Sequence, residues 1–166
     1  MDQKLYEQIV RNFFTCDPEA ITAIFREFLM AVQAEGTLPP SLHMAQNYET
    51  AQIVAKGLAD YAKNTGKQII VIASSDFNHF ESAELGRQKD ENVLNKILSL
   101  DIEGVEKSVK RHNVSVCGYG PIMAMLLWVK HQNTEVRCRI LSRGHSGEVV
   151  NSANVVDYIS LAFYEA

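Results

Sequence analysis

The stretch Ile69-Ile70-Val71-Ile72-Ala73 limits more than any other how this chain can fold. Four branched aliphatic side chains follow one another without alternation, and then Ser74-Ser75-Asp76-Phe77-Asn78-His79-Phe80 turns polar. A short, unbroken, β-branched run suits a strand covered on both faces, as in a parallel sheet. In open α/β sheets, ligands bind beyond the carboxyl ends of such strands. Asp76 and His79 thus stand three residues apart where such folds hold their chemistry. A second turn-rich stretch, Cys117-Gly118-Tyr119-Gly120-Pro121, is expected to face the first across one pocket.

The rest of the chain reads as helices and strands in alternation. Leu5, Ile9, Val10, Phe13 and Phe14 form one helical stripe. Asp17-Pro18-Glu19 has the cap, the first-turn proline and the acid of a helix start, and that helix should run to about Ala34. Gly36 and Pro39-Pro40 end it. Residues 41–47 are read as a short strand entering a turn. Helices are then expected over Glu49–Asn64, closed by Gly66, over Ser82–Leu98, and from an Asp101 cap to near His112. Pro121–His131 is apolar nearly all round, which predicts a central, buried helix. Val136–Leu141 and Val155–Tyr164 read as strands, with a loop at Arg143–Glu148 that carries His145.

A chain of 166 residues with 46% hydrophobic residues is long and apolar enough for one domain with a real core. The net charge of −4 and the absence of any long basic run exclude a nucleic-acid footprint. Cys16, Cys117 and Cys138 are an odd number with no paired spacing, which favours free thiols in a reducing, cytoplasmic compartment. Met1-Asp2-Gln3-Lys4 lacks the charged-then-apolar pattern of a leader. Ile122–Val129 is too short to span a bilayer, so no membrane partner is expected.

Asp76 and His79 offer a carboxylate and an imidazole, a pair that iron and other borderline metals accept. The competing reading is that Asp76 caps the next helix and His79 bonds a carbonyl. Cys117 precedes a helix start, where the dipole favours a thiolate; the alternative is a buried cysteine in a tight turn. Gly118 and Gly120 free backbone N–H groups to turn toward a ligand. His145 reads as an exposed turn rather than a cover for the pocket, and His43 as a remote candidate for a further ligand. His112 and His131 suit helix C-termini, and Cys138, Tyr158 and Phe163 suit packing.

Several segments together resemble the Memo family. They are Gln46-Asn47-Tyr48-Glu49-Thr50, Ser74 to Phe80, Asp90, Leu100-Asp101, Cys117-Gly118-Tyr119-Gly120-Pro121-Ile122 and Ser146-Gly147-Glu148-Val149. The likeness runs from about residue 42 to the C-terminus. It implies an α/β three-layer sandwich with a mostly parallel central sheet flanked by helices, similar to the class III extradiol ring-cleaving dioxygenases, here in incomplete form. Residues 1–166 would be a single domain, with 1–40 a helical extension or replacement and 41–166 the Memo-like region. The resemblance implies a pocket with Asp76, His79 and Cys117 as metal ligands, Asp76 and His79 as catalytic groups, and Ser75, Gly118 and Tyr119 against a ligand. The metal would be divalent (iron, copper or zinc). The family's early histidine motifs have no counterpart here, which leaves open that no metal binds. Three functions follow: a metal-dependent, dioxygenase-like oxidoreductase, a non-catalytic module for a small molecule or peptide, and a shortened member without activity. Missing strands should leave an apolar edge, so a homo-oligomer is expected.

Overall fold

A computed structural model describes residues 46–66, 69–132 and 134–166. The expected helices before Ala34, residues 41–45 of the short strand expected over 41–47, His43 and Cys16 lie outside the described residues, and Asn47 is a helix N-cap. Four α-helices and three strands follow in order: α1 Tyr48–Thr65, β1 His79–Glu81, α2 Ala83–Leu98, α3 Ile102–His112, α4 Tyr119–His131, β2 Val136–His145, a 3-10 turn at Ser146–Glu148, and β3 Val155–Glu165. The protein is a mixed α/β structure.

Local chemistry sets the helix ends. Asn47, Ser82 and Asp101 each accept a hydrogen bond from a first-turn N–H, at Thr50, Leu85 and Gly104, which satisfies donors that the helix itself cannot pair. Gly66 closes α1 at φ 65° and Asn113 closes α3 at φ 49°, both left-handed, the conformation these residue types tolerate best. His112 and His131 fall in last turns, as expected.

The core is organised around α4, whose Ile122, Met123, Ala124, Leu126, Leu127 and Trp128 are all buried. Against it pack Ala51 and Ala55 of α1 and Val105 and Val109 of α3. Helix α2 adds Val93 and Ile97 and reaches the sheet through β3. A helix apolar on every side has to be enclosed on every side, and α4 is. Among the described residues no helix is long and apolar enough to cross a membrane.

The sheet departs from expectation. Its described strands lie in the order β1-β3-β2 and every pairing is antiparallel. The strand expected over Ile69–Ala73 is not in a ladder: residues 69–78 are irregular and β1 begins only at His79. Burial alternates through the run, with Ile70 and Ile72 exposed at 49% and 55% while Ile69, Val71 and Ala73 are half-buried. One side of the segment meets the helical core, and its other side meets nothing described. Composition correctly marked an apolar run; a ladder also needs a neighbour, and none lies alongside among the described residues. Strand β2 is longer than expected, because Arg143, Gly144 and His145 pair with Ile159, Tyr158 and Asp157 instead of looping.

Leu126, with no exposed surface at the centre of α4, reports on this packing. Leu126→Ala should lower the unfolding free energy by about 2–5 kcal/mol, measured by urea titration of the whole chain.

Candidate metal centre

Two segments meet at the rim where the irregular run enters β1. Residues 75–79 form one and residues 115–118, ahead of α4, the other. Backbone joins them directly: Cys117 N donates to Asp76 O at 3.3 Å. Ser75 Oγ accepts from Gly118 N at 2.8 Å and donates to Asp76 O at 2.7 Å. The approach is so close that a Cβ on Gly118 would lie 2.7 Å from both Ser74 O and Ser75 Cβ. Position 118 therefore excludes any side chain.

This docking brings Asp76, His79 and Cys117 together. Each offers one ligand atom, and the three atoms lie within 4.8 Å of one another. His79 Nε2 stands 3.6 Å from Asp76 Oδ2. The histidine is mostly enclosed, with 16% of its side chain exposed, while the Asp76 side chain is 46% exposed. The centre thus opens to solvent on the carboxylate side.

The ring of His79 has one orientation and one tautomer. Nδ1 lies 2.7 Å from Ser115 O. A carbonyl only accepts, so Nδ1 carries the hydrogen and, in the neutral ring, Nε2 is left with a lone pair. Metal-bound histidines are commonly held by this kind of N–H to carbonyl bond, which fixes the ring and leaves the other nitrogen free to ligate. The reading in which His79 bonds a carbonyl is met, and the same bond leaves Nε2 available on the other side of the ring. Cys117 Sγ accepts from Asp76 N at 3.2 Å, and Ser75 Oγ lies 3.9 Å away. Asp76 does not cap a helix; Ser82 does that for α2.

The glycine N–H groups are bonded within the protein. Gly118 N is taken by Ser75 Oγ and Gly120 N by Gln46 Oε1, at 2.9 Å. Tyr119 OH donates to Gln46 O at 2.8 Å, and burial raises its phenol above the ordinary range, which keeps that donor protonated. Ser75, Gly118 and Tyr119 thus use their polar groups to join and hold the two loops. His145 lies not over this centre but opposite Asp157 in the β2–β3 ladder.

Three residues escaped sequence reasoning. Gln46 clamps the second loop from both ends, with Nε2 on Cys117 O at 2.9 Å and Oε1 on Gly120 N. Ser115 orients His79 through its carbonyl and also accepts from His79 N at 2.7 Å. Asn78, 1% exposed, joins four elements. Its N–H donates to Asp90 Oδ1 of α2, its Nδ2 to Glu81 Oε2 of β1, its Oδ1 accepts from Ser115 Oγ, and its carbonyl accepts from Asp157 N of β3. A lone Ser between Val114 and Val116 was a visible hint; for Asn78 there was none.

The sequence matches the family described as Memo-like protein over residues 23–162. It is 41% identical over 119 residues to a MEMO1 family protein of Methanosarcina barkeri, covering 72% of this chain and 44% of that one. It is 42% identical over 111 residues to one of Methanosarcina mazei, covering 67% and 41%. With one of Methanocaldococcus jannaschii the identity is 37% over 128 residues, covering 76% and 44%. The chain belongs to the Memo-like protein family. It spans less than half the length of these relatives. The match begins at residue 23, some way before the likeness visible from about residue 42, so part of the segment read as an extension or replacement falls inside the family match.

Gly118 is where the meeting of the two loops is most sensitive. Gly118→Ala should cost about 1–3 kcal/mol in overpacking and shift the Ser75, Asp76 and Cys117 amide signals together in an NMR spectrum, with α2 and α3 unmoved.

Proposed function

We propose that Asp76, His79 and Cys117 hold a divalent or redox-active metal (iron, copper or zinc) and that this centre carries the chain's activity. The observation that supports it is the pairing of His79 Nε2 with Asp76 Oδ2. In the neutral ring two electron-rich atoms face each other 3.6 Å apart, and a carbonyl on Nδ1 holds them so. An imidazole nitrogen and a carboxylate oxygen held this close favour a positive charge between them, a metal ion or a proton. The third donor is a sulfur, and a thiolate with an imidazole and a carboxylate makes a donor set that suits zinc, copper or iron better than magnesium or calcium.

When bound, such a metal supplies Lewis-acid or redox chemistry to an oxygen-bearing ligand. The dioxygenase-like sandwich of the family is the fold this function presumes, and the reaction class is that of a metal-dependent oxidoreductase. The side chains here divide the work. His79, with both ring nitrogens engaged, holds rather than shuttles. Asp76 is the exposed donor, so it lies on the path by which a ligand arrives and is the group placed to take its proton. Ser115 and Asn78 keep the imidazole from rotating away. A second reading, a non-catalytic module for a small molecule or peptide, is favoured by the same openness on the Asp76 side.

We further propose that a second copy covers the apolar edge at 69–73, forming a homo-oligomer. Ile70 and Ile72 stand exposed on a segment outside any ladder. An identical edge, apolar in the same places and unpaired in the same way, complements it about a two-fold axis.

Elemental analysis of protein purified without added metal should find iron, copper or zinc near one per chain, lost in both His79→Ala and Cys117→Ala. Cobalt(II) added to metal-free protein should give a sulfur-to-cobalt absorption band that Cys117→Ser abolishes. A parent protein that takes up no metal leaves the module reading in place. For the oligomer, sedimentation should show a dimer or larger that Ile70→Lys with Ile72→Lys converts to monomer; a monomeric parent refutes it.

A further inference from the structure

Beneath the loop that bears Asp76 and His79 lies a second group of ionisable side chains with no part in the centre described above. Asp90 of α2 has no exposed surface and Asp157 of β3 only 5%. Asp90 sits on the apolar stripe of its helix, in line with Gly86, Val93, Leu94 and Ile97. Asp157 presses against the same helix: a Cβ at Gly86 would collide with its Oδ2 and lie 3.2 Å from Asn78 Nδ2. Each aspartate has one oxygen, Oδ2, buried and without a hydrogen-bond donor. Buried carboxylate oxygens left in that state are costly, and two of them side by side are costlier still.

The surrounding charges do not remove the problem. Arg143 of β2 reaches within 4.0 Å of Asp90 Oδ2 but is bound more tightly by Glu91 of α2. Lys89 of α2 is paired with Glu81 of β1 at 2.5 Å. His145 of β2 faces Asp157 but is drawn also to Glu148 of the 3-10 turn, at 3.9 Å. Arg143 and Lys89 thus each have an acid of their own, and His145, whose buried Nδ1 has no hydrogen-bond partner, lies between Asp157 and Glu148.

We propose that Asp90 and Asp157 share a single proton between their Oδ2 atoms, and that this proton fastens the loop carrying Asp76 and His79 to α2 and β3. The hydrogen satisfies both orphaned oxygens at once. Asp90 Oδ1 is then free to accept from Asn78 N at 3.0 Å, one residue before His79. The backbone on either side of Asp157 closes the clamp, because Phe77 N donates to Asp157 O and Asp157 N to Asn78 O, both at 2.9 Å. Burial, and after it the neighbouring Asp157 carboxylate, push Asp90 up to about 7; burial raises Asp157 as well. Asp90 and Asp157 act as positioning residues, and the proposal does not rest on metal binding.

The pH dependence has a definite sign. The unfolded aspartates release their protons near about 4, while the folded pair retains one until about 7. Across that window the folded state binds one more proton than the unfolded state. The folding equilibrium constant should therefore fall about tenfold per pH unit as pH rises, and level off above neutrality. The pair is fully supportive in mild acid and weakest in alkali, the reverse of a salt-bridged carboxylate.

The test is carboxyl-carbon NMR titration of the full chain, with urea stability measured across the same pH range, on the parent, Asp90→Asn and Asp157→Asn. One carboxyl of the pair should titrate near neutrality in the parent. In Asp90→Asn the amide supplies the hydrogen permanently, so the slope of one proton should vanish while the amide signals of Gly86, which lies against Asp157 Oδ2, and of its neighbours in α2 hold their positions from pH 5 to 8. In the parent those signals should move with the titration. Asp157→Asn should behave alike, which guards against one variant failing to fold. Two aspartates titrating in the ordinary range, or a slope that survives both substitutions, would overturn the proposal.

Discussion

Asn78 bonds through all four of its polar groups, and the site is built on that residue. Its backbone and side chain connect α2, β1, β3 and the segment ahead of α4, and it does so almost out of contact with water. A buried amide is stable only when its donors and acceptors are matched, so four elements have one relative arrangement in which Asn78 is satisfied. The two candidate ligands nearest to it, Asp76 and His79, inherit that arrangement. Its partner Ser115 carries the constraint across to His79, whose ring it orients, and lies two residues before Cys117. The three donors come from places as far apart as residues 76 and 117, yet a single polar knot sets their spacing.

This architecture separates two kinds of material. The helical layer, with α4 at its centre, is apolar and tolerant of detail; it supplies bulk stability through burial. The rim is polar and exacting. Gly118 has no room for a methyl group, and Gln46 holds the second loop by both ends of its amide. Phe80, just after His79, has a left-handed backbone at φ 61° and sits in a bulge of β1 with 78% of its surface exposed. A bulky residue seldom adopts that conformation. The strain lies next to the candidate ligands rather than in the core, as expected where geometry is held against local preference.

Much of the helical part was legible in the residues. Asp101 and Ser82 announce helix starts through short side-chain hydrogen bonds to residues three along, and such local chemistry needs no tertiary knowledge. The all-round apolarity of the α4 segment marked it as central. The run at 69–73 misled because it has the composition of a covered strand, while being a strand depends on a neighbour, and none is present among the described residues. The short β1 was hidden inside what read as a polar loop. At the site, Asp76, His79 and Cys117 stood out as chemical types in turn-rich stretches. Gln46, Asn78 and Ser115 did not, because their roles come from bonds spanning tens of residues. Asp90 stood out only within the family resemblance, although it is an acid on an otherwise apolar helical stripe.

The pairing of Asp157 with Phe77 and Asn78 has a consequence for how the protein is made. All three candidate ligands have been synthesised once residue 117 is joined, but the floor beneath the first loop is β3, some forty residues later. On the ribosome the imidazole, the carboxylate and the thiol leave the exit tunnel well before the strand that holds them in register. The centre is thus assembled only once β3 has been made, and a nascent chain halted short of residue 155 would have every donor and no cradle.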